Sequence, residues 1–216
     1  MKKPHAKFKA FTLIEVLIIL AVLLVLGLVL VPSYMRAKAR AQRIRCTSHL
    51  KQLGLAHRTW AIDHGDGDRF PHEVPLAEGG AREPVSAGDL AFVYRVMSNE
   101  LHTPVILVCP SDSERRPGQT FTSLQSKNLS YFLGLEASET NSSAILSGDR
   151  NMTNAAGPQN GIFQGSTNDP VGYTASTHVG NGNILLSDGS VQQVSSQRLR
   201  NAIEGTGFAT NRFLMP

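Results

Sequence analysis

Residues 11–31 read FTLIEVLIILAVLLVLGLVLV, and from Val16 to Val31 no side chain is polar. As a helix rising about 1.5 Å per residue, this run spans roughly 31 Å, the thickness of a bilayer hydrocarbon core. Past Pro32 the pattern becomes amphipathic. Cys46, Leu50, Leu53, Ala56 and Trp60 recur at steps of four, three, three and four and fall on one helical face. Arg36, Lys38, Arg40, Arg43, Arg45, Lys51 and Arg58 fill much of the remainder, as the solvated face of a long helix rather than a nucleic-acid patch. The helix is expected to end near Asp63, because His64-Gly65-Asp66-Gly67-Asp68 carries turn chemistry and Pro71 forbids continuation.

Further along the chain the signals are shorter. Residues 75–88, rich in Pro, Gly, Ala and Glu, read as a surface loop. A helix is expected from about Gly88 to Leu101, with Leu90, Val93, Met97 and Leu101 on one face. Val105–Val108, Leu129–Leu133 and Ala144–Leu146 read as strands, the last followed by a turn at Gly148-Asp149. Ile184–Leu186 and Val191–Val194 flank Asp188-Gly189, a signal for a two-residue type I′ hairpin. A short helix near Gln197–Ile203 closes the chain. One long helix against an antiparallel sheet is an α+β arrangement. The expected divisions are a basic leader at 1–10, a transmembrane helix at 11–31, its amphipathic continuation at 32–63 and a globular head at 64–216.

Composition narrows the class. With 216 residues, 41% hydrophobic and 18% charged, and only two cysteines, the chain is neither disordered nor a disulfide-dense miniprotein. The net charge of +4 is matched by Lys2, Lys3, Lys7 and Lys9, which no acid offsets within the first ten residues. The excess is therefore a leader rather than a basic surface. A cleaved secretory signal, with Ala37-Lys38-Ala39 as its site, is opposed by the length of the apolar run, by Arg36 and Lys38 at the cut, and by Glu15 within the run. The seven bases beyond the span compete with the leader under the positive-inside tendency, but they lie far from it and the leader comes first, which keeps the N-terminus cytoplasmic.

A carboxylate inside an apolar span is costly and is kept mainly where it finds a partner. Cutting the chain between Ala10 and Phe11 creates such a partner, a new α-amino group. At this point the sequence resembles the type IV prepilin family, including the type II secretion pseudopilins. The resemblance rests on a short basic leader ending in a small residue, then Phe11, Thr12, Leu13, Ile14 and Glu15, with the acid fifth after the cut and an apolar helix behind it. It implies a pilin-like head and cleavage at Ala10–Phe11 by a prepilin peptidase, with methylation of Phe11. It also implies pairing of Glu15 with a neighbouring subunit's N-terminus as the filament assembly machinery draws subunits from the bacterial inner membrane, the head being periplasmic. Ala10 departs from the family's usual Gly.

A narrower resemblance covers the head. His178, nine residues and then Asp188-Gly189 match the H-x9-DG segment of pilin-like proteins from several environmental bacterial phyla, and the Cys46–Ala56 stretch, Cys109-Pro110-Ser111-Asp112 and Gly148-Asp149-Arg150-Asn151 look like the same group.

The expected function is a structural subunit of a type IV pilus-like or type II secretion pseudopilus-like filament. The alternative is a non-polymerising, single-pass, membrane-anchored periplasmic enzyme or binding module. No enzymatic activity, cofactor or nucleic-acid partner is expected. HExxH, GxSxG, a phosphate-cradling glycine loop and paired zinc-type cysteines are all missing from the sequence. His178, Asp149 and Asp188 offer groups for a metal or for acid/base work, but the expected role of the His178–Gly189 segment is structural. Asp63, Asp66 and Asp68 lack the register of a calcium loop and read as capping and turn residues. Two arrangements fit the cysteines. Cys46 and Cys109 can join as a disulfide closing a loop of about 64 residues, which an oxidising compartment favours, or remain two separately buried thiols.

Overall fold

The computed structural model describes residues 12–64, 69–166 and 169–216, apart from the side chain of Val29. The leader, Phe11 and the turn residues Gly65–Asp68 expected above lie outside them. The chain divides into two compact units, residues 1–41 and 42–216.

Helix α1 runs from Leu13 to Asp63 with Pro32 inside it. From Leu13 to Leu28 it is exposed save for the half-buried Gly27 and apolar save for Glu15, and α1 is the one helix among the described residues that is long and apolar enough to cross a membrane. In the second unit the expected stripe is buried: Cys46, Leu50 and Leu53 are fully inaccessible, and Ala56 and Trp60 nearly so.

That stripe packs on a six-stranded, wholly antiparallel sheet of order β4-β8-β1-β2-β6-β7. Its strands are β1 Tyr131–Gly134, β2 Ile145–Asp149, β4 Ile162–Ser166, β6 Asn181–Leu186, β7 Val191–Ser195 and β8 Thr210–Leu214. A two-stranded ribbon pairs β3 Met152–Thr153 with β5 Gly172–Tyr173. Successive residues point to opposite faces of a strand. Tyr131, Leu133, Leu146, Leu185 and Leu214 thus join the core that α1 covers. Phe132, Ile184, Phe163 and Phe213 join a second core beneath α5 Ser196–Gly205, through Leu199 and Ile203. With both faces covered, β1 and β2 are buried at every position.

Several local expectations are corrected. Residues 75–88 hold a 3-10 helix at Leu76–Glu78 and helix α2 at Arg82–Ser86, which buries Val85. The helix expected over 88–101 is two, α3 Leu90–Val96 and α4 Ser98–Leu101. Asp89 caps α3 by accepting from Phe92 N, and Leu90, Val93, Met97 and Leu101 are all buried as expected. Val105–Val108 is no strand. Pro104 opens a 3-10 helix, Pro104–Leu107, in which the Thr103 hydroxyl accepts from Val105 N, and these local constraints outweigh β-branching. Gly148-Asp149 is not a turn but the end of β2, where both residues are paired with β1. The chain ends in β8 rather than in the last helix, which starts at a Ser195 cap as a separate element, α5.

The hairpin between β6 and β7 is present but wider than a two-residue type I′ turn. Gly189 N donates to Leu186 O at 3.0 Å and Leu186 N to Ser190 O at 2.9 Å, leaving Ser187, Asp188 and Gly189 as the loop. Only Gly189 has positive φ, at 82°. A three-residue loop ending in a left-handed glycine follows the right-handed twist of the strands as well as a type I′ turn does. The Asp188 carboxylate accepts from Ser190 N at 2.7 Å, and its carbonyl accepts from Arg58 of α1 at 3.2 Å. We expect Gly189→Val to cost about 1–3 kcal/mol through backbone strain, and Asp188→Ala about 1 kcal/mol through the lost loop bond, in denaturant titrations of the detergent-solubilised chain. A Gly189→Val protein as stable as the parent would contradict the left-handed assignment.

Candidate functional site

Two places gather polar groups under unusual conditions. The first is the start of α1. Thr12 N and Thr12 Oγ1 each donate to Glu15 Oε2 at 2.9 Å, and Glu15 N donates back to Thr12 Oγ1 at 3.4 Å. This reciprocal pattern is a capping box, in which Thr12 and the acid three residues later satisfy each other's otherwise unpaired backbone groups. The T-x-x-E spacing was legible in the sequence, where Glu15 was read only as a partner for a cleaved N-terminus. Both Thr12 bonds fall on Oε2, and Oε1 takes none among the described residues.

The second is a polar knot inside the head, where α1, β2, β6 and the loop before β6 meet. Cys46 of α1 and Cys109 form a disulfide with their Cα atoms 4.9 Å apart, both fully buried. His178 Nε2 lies 3.4 Å from Cys109 Sγ, 3.2 Å from Asn183 Nδ2 and 3.3 Å from Asp149 Oδ2. Asn183 donates to Asp149 Oδ2 through its backbone N at 2.7 Å and through Nδ2 at 2.8 Å, and its Oδ1 accepts from Thr47 of α1 at 3.3 Å. Arg43 of α1 donates to the His178 carbonyl at 3.3 Å. Asn151 ties the loop before β6 to β2, donating to Thr174 O at 3.1 Å and Asn181 O at 3.2 Å.

Next to the knot, Asp112 is 3% exposed at its side chain and accepts from Arg150 Nε at 2.8 Å and Ser130 Oγ at 2.9 Å, and Glu114 also pairs with Arg150. The separate sequence segments around Cys46, Cys109, Asp149 and His178 thus converge on one buried cluster. Sequence reading missed Asn183, Asn151, Thr47 and Arg43 as members. The available signal was Asn183 itself, an amide at the head of the apolar run Ile184–Leu186.

Of the three residues offered for a metal or for acid/base work, the structure brings together His178 and Asp149. Asp188 is exposed at the hairpin and is engaged with Ser190 and Arg58 instead. Cys46, Cys109 and His178 place their ligand-type atoms within 4.8 Å of one another. The two sulfurs are bonded to each other, so neither is a thiolate able to take a metal.

Burial pushes the Asp149 carboxyl up to about 7, against the lowering effect of its Asn183 bonds. Burial, helped by the Arg43 charge, pushes His178 down to about 4. Near neutral pH the imidazole is therefore uncharged. Its Nε2 meets both the Asn183 amide nitrogen and the Asp149 carboxyl. Raised carboxyl pKa values also occur in general acids. Asp149, however, is 1% exposed and accepts from Asn183.

No family model, curated protein or solved structure matches the chain.

Two predictions follow from the knot's geometry and charge. Cys46→Ser and Cys109→Ser should each cost roughly 2–5 kcal/mol of head stability, and the double variant little more than either, because one bond is lost in all three. Additive losses would mean independent thiols.

The pH dependence has a definite sign. Buried His57, His72 and His178 are held down at about 4, 3 and 4. Unfolding between pH 4 and 6.5 therefore takes up protons on all three, and their contribution to stability is lost as pH falls. Asp149, raised to about 7, works the other way and loses its contribution as pH rises through that value. The histidines outnumber it, so stability should climb with pH by roughly 1.4 kcal/mol per pH unit for each net proton and level off above about pH 7. A fall in stability between pH 4.5 and 6 in urea titrations would overturn this assignment.

Proposed function

We propose that this protein is a structural subunit of a type IV pilus-like or type II secretion pseudopilus-like filament, held in the inner membrane until assembly. The observation that carries the reading is Glu15, a carboxylate near the start of a membrane-length helix whose apolar side chains are exposed in the single chain. Such a surface needs either lipid or the same helix of neighbouring copies around it. In a low-dielectric bundle an unpaired carboxylate is strongly unfavourable. Removal of the leader after Ala10 by a prepilin peptidase gives the Phe11 ammonium, one residue from the Thr12 N–H that Glu15 already accepts. A neighbour's ammonium on Oε1 and the subunit's own Thr12 on Oε2 use the two oxygens of one carboxylate. The head, an amphipathic helical stripe on an antiparallel sheet, supports the pilin-like part of the reading, with a packing rather than a catalytic role for its buried polar groups.

The capping box is the one observation that favours the second reading, a membrane-anchored module that never polymerises. If Glu15 serves only its own helix end, no neighbour is required. Two variants separate the readings, because glutamine keeps a capping box but carries no charge. Glu15→Val and Glu15→Gln should both spare leader cleavage and both reduce filament yield at least about tenfold. Filaments rescued by Glu15→Gln would assign the acid to capping alone. Mass spectrometry of the mature protein should find a methylated Phe11 at its N-terminus, and an intact Met1 or a start beyond Arg36 would defeat the proposal.

A further inference from the structure

A cavity of about 360 Å³ opens on the head beside the polar knot, between α1, the β6–β7 pair and the start of α5. Its lining is mostly polar and includes Arg43, Arg198, His178, Asn181, Gln193 and Ser195, with no acid among its lining residues. Neither arginine is paired with a carboxylate among the described residues. Arg43 is half-buried and makes its one side-chain bond to the His178 carbonyl, and the Arg198 side chain makes none among the described residues. Structural arginines on a folded surface normally find a carboxylate or lie out in water, whereas here two converge on one concavity.

The third feature is His178 itself, 3% exposed and lining the cavity. Its Nε2 faces Asn183 Nδ2, Asp149 Oδ2 and Cys109 Sγ. Two guanidiniums without a carboxylate partner among the described residues, on a cavity with no acid in its lining, favour an anionic oxygen. The Arg43 charge helps to depress the His178 pKa and favours the ionised form of Asp149. Asp149 contacts His178 at 3.3 Å but does not line the cavity, and its Oδ2 accepts from two N–H groups of Asn183.

We propose that this cavity binds a hydroxylated carboxylate of the uronic acid class, either as a free sugar acid or as one residue of an acidic polysaccharide. The two guanidiniums receive the carboxylate. Asn181, Gln193 and Ser195 offer both donors and acceptors to ring hydroxyls, more hydrogen-bonding capacity than a bare inorganic anion uses. The volume lies at the small end of ligand sites and fits one sugar unit rather than a bulky cofactor, and the polar lining disfavours an apolar guest.

The test is calorimetric titration of the detergent-solubilised full chain with glucuronate, oligogalacturonate, glucose and inorganic phosphate, repeated on Arg198→Gln. Arg198 is exposed and has no side-chain partner in the fold, so its replacement should leave the melting temperature unchanged. Glucuronate should bind saturably, at least about tenfold more tightly than glucose, with affinity falling as salt rises, and Arg198→Gln should lose about tenfold or more. Oligogalacturonate binding more tightly than the monosaccharide would make the natural source a polymer, and equal affinity would make it a free sugar acid; either supports the site. Binding of phosphate but not glucuronate, equal binding of glucose, or unchanged affinity in Arg198→Gln would overturn the proposal.

Discussion

Everything in the head hangs on one attachment, the covalent and polar fastening of α1 at Cys46 and Thr47. A helical stripe alone can slide along a sheet by a turn at modest cost, because Leu50, Leu53, Ala56 and Trp60 offer apolar surface at repeating intervals. The Cys46–Cys109 bond removes that freedom by fixing one α1 position against the segment that leaves the Pro104–Leu107 helix. Thr47, the next residue, bonds Asn183 of β6, so helix, loop and sheet are pinned within one turn of α1. Farther along α1, Arg58 reaches the Asp188 carbonyl and Glu139, giving a second fixed point at the hairpin.

The knot achieves this with groups that are expensive to bury. Asp149 and His178 are both nearly inaccessible, and each stays tolerable by shedding charge as neutrality is approached: the imidazole is uncharged, and the carboxyl is partly protonated. Asn183 then acts as the adaptor, since one amide donates to carboxylate and imidazole while its oxygen accepts from Thr47. A hydrophobic residue at any of these positions would pack, but it would not dictate which loop meets which strand. Directional bonds among unlike elements specify a single arrangement, and the pairing of distant segments here needs that specification.

Sequence legibility tracked how local the governing physics is. The stripe from Cys46 to Trp60 and the end of α1 near Asp63 follow from periodicity and turn residues within a few positions, and the structure keeps both. Strands β4 and β8 escaped notice because Gln164, Gly165, Asn211 and Arg212 dilute their alternation, and β8 earns its place by pairing with β1 and β4, distant in sequence. Gly148-Asp149 has turn composition, yet its carboxylate is needed inside the sheet for Asn183, a demand only the tertiary structure reveals. The members of the knot were partly visible as sequence motifs. Their meeting point was not, because the spacing of His178, Asp149 and Cys109 along the chain carries no information about which sheet face each one occupies.

This same locality separates two roles that a short sequence motif tends to merge. Thr12 and Glu15 satisfy a helix end by themselves, within three residues, so the presence of the acid does not require a neighbouring chain. What the capping box leaves over is the position of that end. A helix start in water has its free N–H groups solvated and gains only modestly from a capping acid, whereas a start at the edge of an apolar layer has little water to fall back on. The capping box is therefore more valuable to a helix that enters a membrane or a bundle of its own kind than to one in solution. The residue that solves the helix's own problem does so with one carboxylate oxygen, and the other takes no bond among the described residues.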